Sequence, residues 1–319
     1  MAFQRLPAPI RAYQRDQAAI RRGAVREVRK LWRTVGNDFS RWEGVRGAAV
    51  DVVTQSQMRT GQLAAGSTQV ALAATGQPFG PGEYSPLVSE WAGVAGDGRP
   101  VATLLDGAVV NARKATARGL SAVKVQRAVS AWLTMATVTV LADTMRGIEQ
   151  MGIHAQSVRL YVRAVAGANP CGRCIILAGK TYATETAFER HPQCQCYNIP
   201  ATESNRAALI SDPQKYLESL DDEGLAHALG SKANAKAFRD GADAVEIVNA
   251  YRSGIQKAQI QGVGVRFTTS GVTRRGFAGR RMRTAGVRGR PRLMPASIYE
   301  IAPDRATAIQ LLRDYGWIV

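Results

Sequence analysis

The stretch NPCGRCIILAGKTYATETAFERHPQCQCYNIP, Asn169 to Pro200, holds all four cysteines of the chain and one of its three histidines. Cys171-x-x-Cys174 and His191-x-x-Cys194-x-Cys196 form two knuckles with five potential metal ligands. Four such groups complete a closed tetrahedral zinc site, and soft thiolates suit that ion. Cys171, Cys174 and Cys196 are the first choices, with His191 and Cys194 competing for the remaining position or one of them supporting the others from outside. Gly172 frees the backbone to turn both sulfurs of the first knuckle toward one ion, and Pro170 and Pro192 stiffen the approaches. Four reduced cysteines without a metal are the alternative; the paired spacing, with none left over, argues against it.

Between the knuckles, Ile175-Ile176-Leu177 and Lys180-Thr181-Tyr182 flank Ala178-Gly179, a pattern that predicts a β-hairpin. A hairpin of this size does not hold its shape alone. A structural zinc ion supplies roughly 10–16 kcal/mol of apparent binding energy, ample to fix it. Arg173, Lys180 and Arg190 lie close enough in sequence to offset the charge of bound thiolates.

Chemistry at these residues is harder to support. NPCGRC matches half of the nucleic-acid deaminase signature, but the upstream histidine sits in His154-Ala155-Gln156, so the acid/base glutamate of that signature is missing. A cysteine nucleophile with His191 as base requires a thiolate that a metal would already occupy. His154 and His227 stand alone and read as ordinary surface or helix residues. No phosphate-binding glycine loop stands out.

The rest of the chain reads as mainly helical α+β. Ile10, Tyr13, Ile20, Ala24, Leu31 and Val35 recur at helical spacing among arginines, which predicts a basic amphipathic helix. An Ala- and Gln-rich helix follows from about Asp38 to Ala74, and TGQPFGPGEYSP ends it. Helical patterning resumes near Pro100 and runs to a long segment, Ser121 to Met151, with Val125, Val129, Leu133, Ala136, Val140 and Met151 as its core stripe. VRLYVRAVAG is rich in β-branched residues and reads as a strand entering the cysteine stretch.

Beyond Pro200 two or three short helices are expected. Val265 to Arg292 then carries many arginines and glycines with no acidic residue, and reads as an extended basic arm. In the ending PDRATAIQLLRDYGWIV, Pro303 suits a first helical turn, Gly316 a C-terminal cap and Trp317-Ile318-Val319 an apolar end that docks. The organisation expected is a helical region over 1–152, a strand with the zinc-binding hairpin over 153–205, short helices over 206–260, and the arm with a terminal helix over 261–319.

Charge bears on partners rather than on fold. The 319 residues carry a formal net charge of +17, which points to a polyanionic neighbour, nucleic acid or an acidic protein surface. Arg274, Arg275, Arg280, Arg281, Arg283, Arg288 and Arg290 give the arm a composition suited to sequence-indifferent phosphate contact, with Phe267 and Phe277 available for stacking. No base-reading motif accompanies them. The first residues lack the apolar core of a secretory signal, so a reducing cytoplasm is the expected setting. Ala131 to Ala142 falls short of the roughly 20 apolar residues of a spanning helix and reads as a buried helix, so no membrane partner is expected.

The sequence CGRCIILAGKTY followed by RHPQCQC resembles the C-x-x-C…G…H-P-x-C-x-C signature of phage head-morphogenesis proteins related to the protein F of phage Mu. The likeness to minor capsid proteins of actinobacteriophages extends to AFRDGADAVEIVNAYRSG, TRRGFAGRR and RLMPASIYEIAPDRATAIQLLRDYGWI, about the last half of the chain. Cys171, Cys174, His191, Cys194 and Cys196 fill all five motif positions. The resemblance implies a minor head protein, in the host cytoplasm during assembly and then in the capsid interior of the virion. Its implied partners are the portal protein, the major capsid or scaffold protein, and packaged DNA. Relatives of this type are also labelled capsid maturation proteases, a label that carries no catalytic residues over to this chain. A free, sequence-indifferent nucleic-acid-binding zinc protein is the third reading.

Overall fold

The computed structural model describes residues 6–165, 170–188, 190–194, 196–209, 211–260, 262–287 and 291–319. In chain order the first elements are helices α1 (Ala8–Val35), α2 (Trp42–Ala65), α3 (Ser67–Ala74), α4 (Val101–Ala117) and α5 (Ala122–Ala155), then strand β1 (Leu160–Val165). Next come α6 (Gly172–Leu177), β2 (Thr181–Ala183), β3 (Cys196–Ala201) and α7 (Arg206–Leu209). The remainder comprises α8 (Pro213–Glu218), α9 (Asp222–Leu229), α10 (Lys232–Arg239), α11 (Ala244–Ala250), β4 (Gln256–Ile260), β5 (Val263–Thr268), α12 (Phe277–Thr284), β6 (Arg292–Leu293), α13 (Pro295–Ile301) and α14 (Arg305–Asp314). The class is mainly helical α+β, as the sequence predicts. The chain divides into two compact units, Ala2–Gly167 with Ala178–Ser211, and Ala168–Leu177 with Asp212–Val319.

In the first unit the long helices bury one another's apolar stripes. Val28, Trp32 and Val35 of α1 meet Trp42 and Val53 of α2, Leu105 and Ala108 of α4, and Val125, Val129 and Leu133 of α5. Trp32 anchors this cluster with ring centroids 5.9 Å from Trp42 and 6.2 Å from Phe39. The stripe predicted on α5 is buried from Val125 to Val140, while Met151 is half-buried. On α1 the buried face differs from the predicted one. Gln17 and Arg21 are buried, whereas Ile20 and Leu31 are only half-buried. Each of these side chains finds a partner on a neighbouring helix, which offsets part of the cost of burial, while Gln17 Oε1 and Arg21 Nη2 are buried without a hydrogen bond. Among the described residues, α5 alone is long and apolar enough to cross a membrane by length and composition, and half of its apolar window is buried inside the structure.

A three-stranded antiparallel sheet in the order β2-β1-β3 lies against these helices, with Val162, Ala164, Tyr197 and Ile199 sharing a core with Met145 and Ile148 of α5. Its register pairs Tyr161 with Tyr182 on one side and Val165 with Cys196 on the other. The strand predicted from VRLYVRAVAG is therefore the central one.

The predicted β-hairpin is not what forms between the knuckles. Residues 172–177 are the helix α6, and β2 pairs with β1 rather than with Ile175-Ile176-Leu177. Short apolar runs fit strand and helix equally well by pattern, and here the run packs against α9 and α11.

The second unit replaces the expected extended arm with ordered elements. A sheet in the order β4-β5-β6 is followed through α12 and closed by the terminal helices, with Phe267 opposite Leu293. Arg292, read from sequence as part of a basic arm, is fully buried. Its guanidinium donates to the carbonyls of Tyr315 at 3.0 Å, Gly316 at 2.6 Å and Ser270 at 3.2 Å, and pairs with Glu246 at 2.9 Å. It also stacks 3.8 Å above the ring of Trp317. The apolar end docks as predicted: Trp317 is fully buried and donates its indole N–H to the Leu293 carbonyl at 2.9 Å. Gly316 takes φ +67°, the left-handed value a helix C-terminus favours, whereas Pro303 falls just before the Asp304 cap of α14 rather than in its first turn.

Candidate metal centre

The first knuckle is the opening turn of α6. The Cys171 carbonyl accepts from the Ile175 amide at 3.0 Å, and a three-residue spacing on a helical turn puts the Cys171 and Cys174 side chains on one face. Gly172 matters here for space rather than for backbone freedom. A Cβ on it would lie 2.6 Å from the Ala228 carbonyl oxygen and 2.7 Å from Val248 Cγ2, so only glycine lets α6 sit this close to α9 and α11.

The second knuckle is a tight turn. The Cys194 amide donates to the His191 carbonyl at 3.0 Å, and Gln193 adopts φ +62°, unusual for a residue other than glycine. The Gln193 amide is held by the Thr139 hydroxyl of α5 at 3.0 Å. Cys196 then starts β3, and Arg146 of α5 spans the stretch by donating to the carbonyls of Cys194 at 3.0 Å and Cys196 at 3.1 Å. Asp143, one turn earlier, binds Arg146 and Arg190, each at 2.5 Å.

Each turn gathers donors that the sequence singles out. The donor atoms of Cys171 and Cys174 lie within 4.8 Å of one another in one unit, and those of Cys194 and Cys196 lie as close in the other. No disulfide joins the four cysteines. In a tetrahedral thiolate site with bonds near 2.3 Å, neighbouring sulfurs sit about 3.8 Å apart, so the observed spacing admits an ion with little adjustment. His191 Nδ1 lies 2.7 Å from the Pro192 carbonyl, an arrangement that puts the proton on Nδ1 and leaves Nε2 as the ligating nitrogen. Cys174, Cys194 and Cys196 are buried, and Cys171 is half-buried. The donor types and their spacing within each pair fit the ligands of a metal ion, and His191 is half-buried like Cys171.

The nearby charges differ from those the sequence suggested. Arg163 on β1 is fully buried, its Nη2 lies 3.7 Å from Cys194 Sγ, and its guanidinium sits 4.2 Å from the Phe188 ring centroid. It is the cation best placed to compensate a thiolate, while Arg190 is turned to Asp143. The signal was legible in principle: one arginine inside the otherwise apolar strand LYVRAV needs a partner.

The predicted arginine surface is in part a folded one. Arg274, Arg275, Arg280 and Arg281 are exposed around α12 and Arg283 is half-buried, whereas Arg288 and Arg290 lie outside the described residues. Arg283 donates to the Arg274 carbonyl and Arg280 to the Arg275 carbonyl, so two of these guanidiniums brace the turn before α12. His154 ends α5 and His227 lies on α9, consistent with ordinary helix positions.

No family model matches the chain, and neither a curated protein nor a solved structure is significantly similar to it.

Proposed function

We propose that the cluster of Cys171, Cys174, His191, Cys194 and Cys196 holds a structural zinc ion, and that the chain is a minor component of a phage head. It acts inside the assembling capsid near the portal protein, the major capsid or scaffold protein, and packaged DNA. The observation that carries this reading is the pairing of thiol donors within 4.8 Å on each knuckle, Cys171 with Cys174 and Cys194 with Cys196. Zinc is favoured over other metals because thiolate and imidazole donors match its preferences, and it brings no redox chemistry to a buried centre. Bound there, zinc would tie the turn of α6 to the turn before β3 and stabilise the stretch between them. The net charge of +17 suits a protein enclosed with nucleic acid.

The test is co-expression of the cognate portal and major capsid proteins with and without this chain. Its recovery in assembled particles, with the intact mass of the major capsid protein unchanged, is the expected result. Absence from the particles refutes the head role. A truncated capsid protein seen only on co-expression favours a capsid maturation protease and calls for a search for its nucleophile.

A further inference from the structure

The helical bundle carries a second feature that the metal centre does not use. Between the C-terminal turns of α1 and the N-terminal turns of α5 runs an open groove of about 780 Å³. Arg29 and Arg33 line it from α1, Arg127 lines it from α5, and Gln193 of the second knuckle is also part of its lining. Arg29 and Arg33 are four residues apart, so both project from one face of the helix. All three arginines are exposed, and among the described residues none has a carboxylate within ion-pair distance. No acidic residue lines the groove. Its floor is apolar, with Val123 exposed at its margin, and Gln126 donates to the Gly36 carbonyl, fastening the two helices at this end.

Like charges four apart on a helix destabilise it slightly. Keeping three uncompensated guanidiniums around one apolar-floored groove is a poor choice for stability and a good one for an anion carrying both phosphate and a flat apolar face. Elsewhere on α1 the same bias holds: the helix has eight basic residues, Arg11, Arg15, Arg21, Arg22, Arg26, Arg29, Lys30 and Arg33, against Asp16 and Glu27. The exposed ones extend a positive track away from the groove.

We infer that this α1–α5 groove is a binding site for the phosphodiester backbone of nucleic acid, gripping it without regard to base sequence. Guanidiniums suit phosphate through paired N–H donors, and the apolar floor accepts a sugar or a base face. The inference builds on the reading that places this chain beside packaged nucleic acid, yet it fails separately, because affinity of the purified chain does not depend on incorporation into a head.

The test is fluorescence anisotropy of the full-length protein with a labelled mixed-sequence 20-base-pair DNA, titrated at several salt concentrations. The variant R29Q/R33Q/R127Q is expected to bind at least about tenfold more weakly near physiological salt, with a log–log salt slope shallower by roughly 2–3. R29K/R33K/R127K, which keeps the charge, is expected to retain most of the affinity. R274Q/R275Q/R281Q reports the separate contribution of the surface around α12. Should the glutamine triple variant fail to fold by circular dichroism, the single variant Arg127→Gln takes its place, with a slope change of about 1 expected. Unchanged affinity and slope in the folded variant overturn the proposal. So does a poly-glutamate peptide that binds as tightly as DNA at equal charge and loses affinity equally in the variant, since the groove would then serve an acidic protein.

Discussion

Glu149 lies on α5 with 1% of its surface exposed, accepting from the Tyr13 hydroxyl at 2.7 Å and from the Asn198 amide at 3.0 Å. Burial pushes its carboxyl up to about 7, against the pull of these donors and of Arg146 and Arg21. The folded chain therefore holds this proton more tightly than the unfolded chain, whose glutamate titrates near 4.5. The contribution to stability is fully present below that value and is lost as pH rises through about 7. Glu149→Gln removes the effect, so the stability difference between variant and wild type is expected to shift by roughly 3 kcal/mol in the variant's favour between pH 4.5 and pH 8, read by urea denaturation. A difference that does not change with pH would contradict this. Two further residues bear on the cluster. Gly172→Ala has no room beside Ala228 and Val248 and is expected to cost about 1–3 kcal/mol in the same measurement. Arg163→Met keeps the bulk but removes the cation beside Cys194, and metal retention in a chelator competition is expected to fall about 10–100-fold.

At the scale of elements, the sequence is most informative where a repeat of apolar positions is long. The Val125-to-Val140 stripe of α5 and the central strand from LYVRAV are buried as their patterns require. The pattern fails on α1 because hydropathy treats Gln17 and Arg21 as solvent-facing. In the fold, Gln17 donates to the Thr60 carbonyl at 2.9 Å, and Arg21 reaches the Met145 sulfur at 3.7 Å. Such partners lie 43 and 124 residues away and leave no local trace. The basic arm is misread for a related reason. Its glycines and arginines resemble a solvated segment, but Arg292 is satisfied by groups from Glu246, Ser270, Tyr315 and Gly316. The five candidate ligands are legible in the sequence, since ligand type and spacing are local properties. Of the residues around the second knuckle, Arg163 leaves a local trace as the one arginine of an apolar strand, whereas Arg146 and Thr139 leave none. The packing of the terminal residues gives a direct check. Trp317→Ala is expected to destabilise the unit built on Asp212–Val319 by about 3–5 kcal/mol, seen as accelerated amide exchange in α12 and α14.

For the whole molecule, the same residue types serve two separate ends. Arginines are buried to satisfy carbonyls, carboxylates and sulfur within each unit, and others are left uncompensated on the surface, where they give the chain its excess of positive charge. The cysteines are proposed to have one task, metal binding. The double variant Cys171→Ser/Cys174→Ser is expected to lose metal and to become protease-sensitive within residues 170–200, with the cleavage sites read by mass spectrometry. The most direct test of the account is the metal content and zinc-edge X-ray absorption of the full-length protein, purified without added zinc or chelator. About one zinc per chain, with a first shell dominated by sulfur near 2.3 Å, is the predicted result. A chain recovered folded without stoichiometric metal, or with a shell dominated by oxygen, would contradict it.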